Sequence, residues 1–145
     1  MLVAKPYVSF HRDGRDFWNL REGWEWGEAP VGMVIARLRG ERVACLRLFK
    51  RTVHIPGAQL PALGVGGVYT KEAFRGRGVA SILLQKSIER LRGAGHRILL
   101  LNSGKRSLYA RAGFVEIREG LWAHQIEGIP FWLQPDWEVI PKAHF

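Results

Sequence analysis

Apolar and charged residues alternate most clearly between Gly32 and Thr70. The segments MVIARL and RVACLRLFKRTVHI predict a β-hairpin, because apolar and β-branched residues alternate with Arg and Lys on both sides of an RGER turn. A second turn at Pro56-Gly57 leads into a predicted strand over Leu60–Thr70. Glycines inside a strand often mark a bulge or a close approach of another group to the backbone. This strand contains Gly64, Gly66 and Gly67.

The second half of the chain predicts helices placed between strands. Residues Val79–Arg92 predict an amphipathic helix that ends at a Gly-Ala-Gly stop. Its apolar stripe is formed by Ala80, Leu84, Ile88 and Leu91. The run HRILLLN predicts a strand covered on both faces, because its apolar residues are nearly continuous. A short helix is predicted over Ser107–Ala112, and the segments FVEIR and LWAHQI predict a final hairpin.

The two ends of the chain carry weaker patterns. Residues 1–30 are predicted to be irregular, with one short helix suggested by the spacing of Phe17, Leu20 and Trp24. Residues 128–145 are interrupted by prolines and rich in aromatic side chains. The whole pattern predicts a single α+β domain over residues 1–145, with a mainly antiparallel sheet and inserted helices. Its parts are a front segment (1–30), a core (31–127) and an aromatic tail (128–145).

Composition narrows the class of protein. A chain of 145 residues with 47% hydrophobic and 24% charged residues fits one globular core and excludes a largely disordered protein. The formal net charge of +9 attracts polyanions such as nucleic acid, acidic lipid or a phosphorylated cofactor. A single cysteine, Cys45, excludes a disulfide framework within one chain. The chain shows neither a signal peptide nor about 20 consecutive apolar residues, so we expect a cytoplasmic protein that does not act in a membrane.

The loop FRGRGVA has the chemistry of an anion site. It joins a predicted strand to the start of a helix, where unpaired amide N–H groups and the positive end of the helix dipole favour an anion. Gly76 and Gly78 let the backbone approach phosphates closely, and Arg75 and Arg77 add positive charge. The loop lacks the GK[ST] of a nucleotide-triphosphatase P-loop and the GxGxxG of a dinucleotide site. No metal site is predicted.

These pieces occur in a specific order along the chain. A glycine-interrupted strand precedes an R-x-x-G-x-A loop, a helix, a strand ending at Asn102, and a Y-x-x-x-G-F motif that runs from Tyr109 to Phe114. In this order the chain resembles the GNAT superfamily of acyl-CoA-dependent N-acetyltransferases, over about the last two thirds of its length. The GGVYT strand, the RGRG loop and the SGK-x-x-LY segment further resemble the catalytic domain of the enhanced-intracellular-survival type acetyltransferases.

The resemblance implies how the donor acetyl-CoA binds. It implies a sheet whose central strands splay apart at the glycines. The chain departs from the family in its front segment, which is shorter than is usual. The backbone of Val68, Tyr69 and Thr70 would pair with the pantetheine arm. Asn102 would contact the same arm. The pyrophosphate would be held by amides of the loop and helix start, namely Arg75, Gly76, Arg77, Gly78, Val79, Ala80 and Ser81.

The resemblance also implies a reaction, the transfer of an acetyl group to a primary amine by direct attack. Tyr109 is the predicted catalytic residue, as general acid or positioning group at the cofactor sulfur. A strand amide near Val68 would polarise the thioester carbonyl. The general base stays open, because the glycine-interrupted strand contains no acid. Glu72, His54, Glu116 and an ordered-water relay are the alternatives.

The acceptor side is less determined. The amine is expected to be carried by a small molecule or a protein, and Trp18, Trp24 and Trp26 are candidates to line its site. A homodimer joined by Trp132 and Trp137 is one possibility, and packing of both within one core is the other. Two rival functions remain open: a non-catalytic acyl-CoA-binding or regulatory domain, and a basic nucleic-acid-binding module that uses Arg47, Lys50 and Arg51.

Overall fold

The computed structural model describes residues 5–12 and 30–141. Within these ranges the chain folds into eight strands, two α-helices and two short 3-10 helices. The strands are β1 (Tyr7–Arg12), β2 (Gly32–Leu38), β3 (Glu41–Ile55), β4 (Ala58–Thr70), β5 (Ile98–Asn102), β6 (Val115–Arg118), β7 (Leu121–Gln125) and β8 (Glu138–Pro141). The α-helices are α1 (Val79–Gly93) and α2 (Arg106–Arg111), and the 3-10 helices are Glu72–Phe74 and Phe131–Leu133.

The strands form one mixed sheet in the order β1-β2-β3-β4-β5-β7-β6, with β8 paired to β3 off this path. Only β4 and β5 run parallel, and α1 makes the crossover between them. The long β3 pairs with β2 over its first half and with β8 over residues 51–54, so β8 continues the sheet where β2 has ended. The prediction of a mainly antiparallel α+β fold is therefore confirmed.

A bulge and a split divide the middle of the sheet. Cys45 pairs with Tyr69 and Arg47 pairs with Gly66, so two residues of β4 oppose a single residue of β3. Gly67 lies inside this bulge with φ of 57°, a conformation that glycine adopts without strain. On its other side β4 pairs with β5 only at Leu63 and Gly64. Beyond that point the two strands separate, as the resemblance implied.

Hydrophobic clusters cover both faces of the sheet. The larger one lies under α1, whose buried side chains include Val79, Leu83, Leu84, Ile88 and Leu91. The predicted stripe is confirmed, except that Ala80 is only half-buried. The second cluster lies on the opposite face, where Phe131 and Trp137 pack against strand residues such as Leu100. Alternate residues of β5 enter the two clusters, which explains its continuous apolar sequence.

The prediction from the sequence missed two strands. Residues 1–30 were predicted to be irregular, but Tyr7–Arg12 pairs along its whole length with β2 as the edge strand β1. In the aromatic tail, β8 joins the sheet and Trp137 is 9% exposed, with its ring 5.2 Å from that of Phe131. Trp137 thus belongs to the core of its own chain.

The helix suggested by Phe17, Leu20 and Trp24, and the three tryptophans of the front segment, lie outside the described residues. In the described part, neither helix has the length and apolar character needed to cross a bilayer.

Candidate active site

A groove of about 650 Å³ opens on the α1 side of the sheet, where β4 has separated from β5. Its walls come from the end of β4, the following loop, the start of α1, and α2. The structure brings nine of the predicted donor-site residues to this groove together with the predicted catalytic tyrosine. They are Val68, Tyr69, Thr70, Arg75, Gly76, Gly78, Val79, Ala80 and Ser81, with Tyr109.

The end of β4 provides a strand edge along one wall. Tyr69 and Thr70 pair with β3 on one side, while the pairing with β5 has already stopped at Gly64. No described strand therefore pairs with the free side of β4 from Val65 to Thr70. Such an edge offers backbone N–H and C=O groups to an extended ligand. The wall suits a long flexible arm that carries amide groups.

The loop and the start of α1 form an anion-binding end. Gly76 and Gly78 both have φ of 77°, and no heavy atom lies within 4 Å of an added Cβ at either position. The bare backbone there allows phosphate oxygens to approach closely. Gly78 is the N-cap of α1 and has no side chain that could hydrogen-bond to the helix, so the first-turn amides of a 15-residue helix remain for a ligand.

Two arginines flank this end in different ways. Arg75 donates from Nε to the Thr70 carbonyl at 2.9 Å, and its guanidinium lies 5.4 Å from the centroid of the Tyr69 ring. It therefore links the loop to the end of β4 and also lines the groove. Arg77 lies over the Phe74 ring, 5.6 Å from its centroid, and is not among the groove-lining residues. The predicted contact of the Arg77 amide with the pyrophosphate stays a prediction.

Tyr109 lies on α2 at the opposite wall and is 5% exposed. Its ring meets Phe114 edge to face at a centroid distance of 5.9 Å and lies 6.5 Å from Trp122. Burial raises the pKa of the Tyr109 hydroxyl, while a hydrogen bond with the Ser103 side chain acts in the opposite direction. The hydroxyl consequently keeps its proton at neutral pH and can donate it within the groove.

Ser103 supports the position of the Tyr109 hydroxyl, and the sequence did not predict this role. Its amide donates to the Gly120 carbonyl at 2.8 Å, and its carbonyl accepts the indole N–H of Trp122 at 3.1 Å. The Ser103 hydroxyl also accepts the Lys105 amide at 3.0 Å. Phe74, Lys105, Leu108 and Arg111 also line the groove, although the sequence had given them no role in the site. Lys105, at the N-cap of α2, and Leu108 and Arg111 within it recur at three-residue spacing, which places them along one side of this helix.

Asn102 does not line this groove. Along β5, Leu99 and Leu101 face α1, whereas Ile98 and Leu100 face the second cluster, so period-two alternation puts Asn102 on the face opposite α1. There it lines a second groove of about 420 Å³ together with residues of β3, β4, β7 and β8. The two grooves lie on opposite faces and adjoin the same split between β4 and β5. The predicted contact of Asn102 with the donor arm gains no support from this placement.

None of the candidate bases lines either groove. Glu116 is engaged with Arg106 at 3.1 Å and with the Gly120 amide at 3.2 Å. Glu72 lies exposed on the 3-10 helix after β4, and His54 lies on β3 opposite Gln59 and Glu138. Among the described lining residues of the two grooves there is no Asp, Glu or His.

The basic stretch that motivated a nucleic-acid-binding module is not a continuous surface. Arg47 is 2% exposed, and burial lowers the pKa of its guanidinium. Lys50 and Arg51 are adjacent on β3 and so project to opposite faces of the sheet. The three cations do not form a shared patch that could follow a phosphate backbone.

Comparison with known proteins agrees with this fold. A family model described as an acetyltransferase (GNAT) domain matches residues 7–117. No curated protein matches the chain significantly. A GCN5-related N-acetyltransferase from Kribbella flavida is 29% identical with a TM-score of 0.53, and the match covers 57% of this chain and 21% of that one. A GNAT family acetyltransferase from Brucella melitensis, solved with acetyl-CoA, is 25% identical with a TM-score of 0.56, covering 73% and 64%.

The enhanced-intracellular-survival resemblance also has a structural counterpart. Eis1 from Mycobacterium abscessus shares the fold at 19% identity with a TM-score of 0.52, over 57% of this chain and 21% of that one. The chain thus spans between 21% and 64% of the length of these three solved structures. Because the family model covers well over half of the sequence and solved N-acetyltransferases share the fold, the chain belongs to the GNAT family of acetyltransferases.

Proposed function

We propose that this protein transfers an acetyl group from acetyl-CoA to a primary amine by direct attack within a ternary complex. The observation that carries the proposal is the composition of the α1-side groove. One continuous surface joins the open edge of β4, the glycine loop at the start of α1, and the buried hydroxyl of Tyr109. These three parts suit the amide-bearing arm, the pyrophosphate and the sulfur of one donor molecule.

Binding of the donor uses the backbone more than side chains. Val68, Tyr69 and Thr70 supply N–H and C=O groups to the pantetheine amides, as an added strand would use them. The amides at the start of α1 and the glycine at 78 take the pyrophosphate oxygens. Arg75 neutralises part of that charge and keeps the loop against β4. Acetyl-CoA supplies the acyl group in activated form as a thioester.

The chain's residues then stabilise the charges that develop during transfer. The amine nitrogen forms a bond to the carbonyl carbon, and the carbonyl oxygen takes up negative charge next to the backbone amide of Val68. The carbon–sulfur bond breaks, and the Tyr109 hydroxyl gives its proton to the departing sulfur. The proton lost by the nitrogen returns through water to the tyrosine oxygen. The products are the N-acetylated amine and the free thiol of CoA.

Holding both reactants at the split contributes a large part of the rate. The donor occupies the α1 side, and the acceptor reaches the same carbonyl from the groove on the opposite face. Such placement replaces a bimolecular encounter with attack from a distance of about 3 Å. Because the described lining contains no carboxylate or imidazole, the amine must arrive neutral or lose its proton to water.

Two measurements test the proposal. Saturating CoA should raise the melting temperature, and acetyl-CoA should release free thiol in the presence of an amine panel that includes amino acids, polyamines and peptide N-termini. A protein that CoA stabilises but that releases no thiol with any amine would instead be the non-catalytic acyl-CoA-binding domain. If CoA at saturation leaves the melting temperature unchanged, donor binding itself is refuted.

A further inference from the structure

A cleft of about 430 Å³ lies between α1 and α2, and we call it the α1–α2 cleft; along α1 it extends from Ser81 to Arg92. It shares three lining residues with the α1-side groove, namely Ser81, Leu108 and Arg111. Ser81 belongs to the first turn of α1, where the pyrophosphate of the donor is proposed to bind. The cleft therefore begins at the anion-binding end of the groove and continues away from Tyr109 along the helix.

The length of the cleft follows from the helix that forms one of its walls. Gln85 and Arg92 line it one and three turns after Ser81. A rise of 1.5 Å per residue places them about 6 Å and about 16 Å from Ser81 along the helix axis. This length is sufficient for a nucleoside that is attached to a pyrophosphate bound at the start of α1.

Arg111 brings positive charge to the point where the two cavities meet. Its Nε donates to the Ser107 carbonyl at 3.2 Å, which holds the side chain along α2. Among the described residues, no acidic side chain forms an ion pair with Arg111. Glu89, the one acid in the described lining of the cleft, pairs with Lys86 at 3.7 Å. The terminal N–H groups of the Arg111 guanidinium are therefore suited to a phosphate.

The walls beyond Arg111 are apolar. Ile88 of α1 is 7% exposed, and Leu108 and Ala112 of α2 pack against the same hydrophobic cluster. All three line the cleft. Facing aliphatic side chains suit a flat ring system rather than a second charged group. A ligand that fits the cleft thus has an anionic group near Arg111 and a flat apolar part further along α1.

Building on the proposed acetyl transfer, we propose that the α1–α2 cleft binds the 3′-phosphoadenosine of the donor. Arg111 binds the 3′-phosphate, and the adenine lies between Ile88 and Leu108. The 3′-phosphate of CoA is one ribose away from the pyrophosphate, which matches a cation at the junction of the two cavities. The protein therefore distinguishes CoA from dephospho-CoA. It also selects free CoA thioesters over acyl groups on the phosphopantetheine arm of a carrier protein, which has no nucleotide.

CoA and dephospho-CoA, which differ only in the 3′-phosphate, test this proposal by binding. Their affinities are measured by calorimetry on the full chain. Wild-type protein should bind CoA at least tenfold more tightly, and Arg111→Gln should remove that difference while leaving the affinity for dephospho-CoA within about threefold. Gln85→Glu, at an exposed position of the cleft wall, adds a negative charge and should also weaken CoA more than dephospho-CoA. Adenosine 3′,5′-bisphosphate should compete with CoA.

Arg106→Gln is the matched control, because it removes the same charge from α2 at a residue that lines neither cavity and pairs with Glu116. It should leave the preference for CoA intact. If Arg106→Gln lowers the preference as much as Arg111→Gln does, the preference comes from the overall charge of the protein and the proposal is overturned. Equal binding of CoA and dephospho-CoA by the wild type overturns it as well. With that result, thermal stabilisation by CoA and thiol release would leave acetyl transfer standing, whereas a failure of CoA to bind removes both.

Discussion

Replacing Tyr109 by Phe removes one oxygen and keeps the packing of the ring. The phenyl ring of the variant retains the edge-to-face contact with Phe114 and the contact with Trp122. The free energy of unfolding should fall by about 1 kcal/mol, the typical contribution of one hydrogen bond, here the bond with Ser103. For a domain of this size that corresponds to a melting temperature lower by about 3 °C. The variant is therefore expected to fold.

Its effect on turnover should be much larger. Loss of a positioned general acid lowers rates by about 100- to 10,000-fold, or roughly 3–5 kcal/mol in the activation barrier. The α1-side groove keeps its strand edge and its anion-binding end, so the affinity for CoA should change by less than about threefold. The assay is thiol release from acetyl-CoA at saturating acceptor, together with calorimetric titration of CoA. Tyr7→Phe, at a residue that is 70% exposed on β1, is the control and should retain wild-type turnover.

The pH dependence adds a second check. Because burial raises the pKa of Tyr109, the neutral phenol persists at pH values where an exposed tyrosine would ionise. Wild-type turnover should consequently show no loss from ionisation of this group below about pH 10. Turnover of Tyr109→Phe within threefold of wild type would refute its role as proton donor. Equal losses of turnover and CoA affinity would instead make the hydroxyl a donor-binding group.

Three further predictions concern stability and binding. Gly66→Ala should lower the free energy of unfolding by about 1–3 kcal/mol, because its Cβ collides with Phe49, whereas Gly93→Ala, with open space around it, should not; chemical denaturation measures both. Burial, with a smaller contribution from Arg92, lowers the pKa of His124, so the folded state resists its protonation and stability should decline as pH falls below about 6.5. In thermal melts His124→Gln should flatten this decline, and an unchanged slope would contradict the reasoning. Gly78→Ala should weaken CoA binding in calorimetry, because its φ of 77° is strained for any residue with a Cβ, and unchanged affinity would count against the loop as anion site.

Much of the donor half could be predicted from the sequence because its signals are local. The alternation over β2 and β3, the helical stripe of α1 and the positions of Gly76 and Gly78 each depend on residues near one another in the chain. The bulge at Gly67 was foreseen for the same reason. The sequence indicated that another group could approach the glycines of β4 closely. It did not identify the side chains of β3 that approach Gly64 and Gly66, because those contacts depend on the register of the two strands.

The missed features all depend on distant partners. The strands β1 and β8 are short, and each is defined by pairing with a strand far away in the sequence. The face of the sheet on which Asn102 lies depends on the elements that pack against β5. The sequence could not determine it, because the run ILLL is equally apolar toward both sides. Ser103 was noted only as the first residue of the SGK-x-x-LY segment and was given no role, since its hydrogen bonds to Trp122 and Gly120 form only after β7 is in place.

Because β8 pairs with β3, a part of the chain that is distant in sequence from the α1-side groove lines the groove on the opposite face. The donor groove is drawn from residues 68–111, whereas β8 places Val139 in the wall of the opposite groove from a segment that contributes nothing to the first. Under the proposed function, substitutions in that segment alter which amine fits without disturbing the residues that meet the thioester. Acceptor choice and donor chemistry would then change independently of each other, through a few substitutions in one short strand.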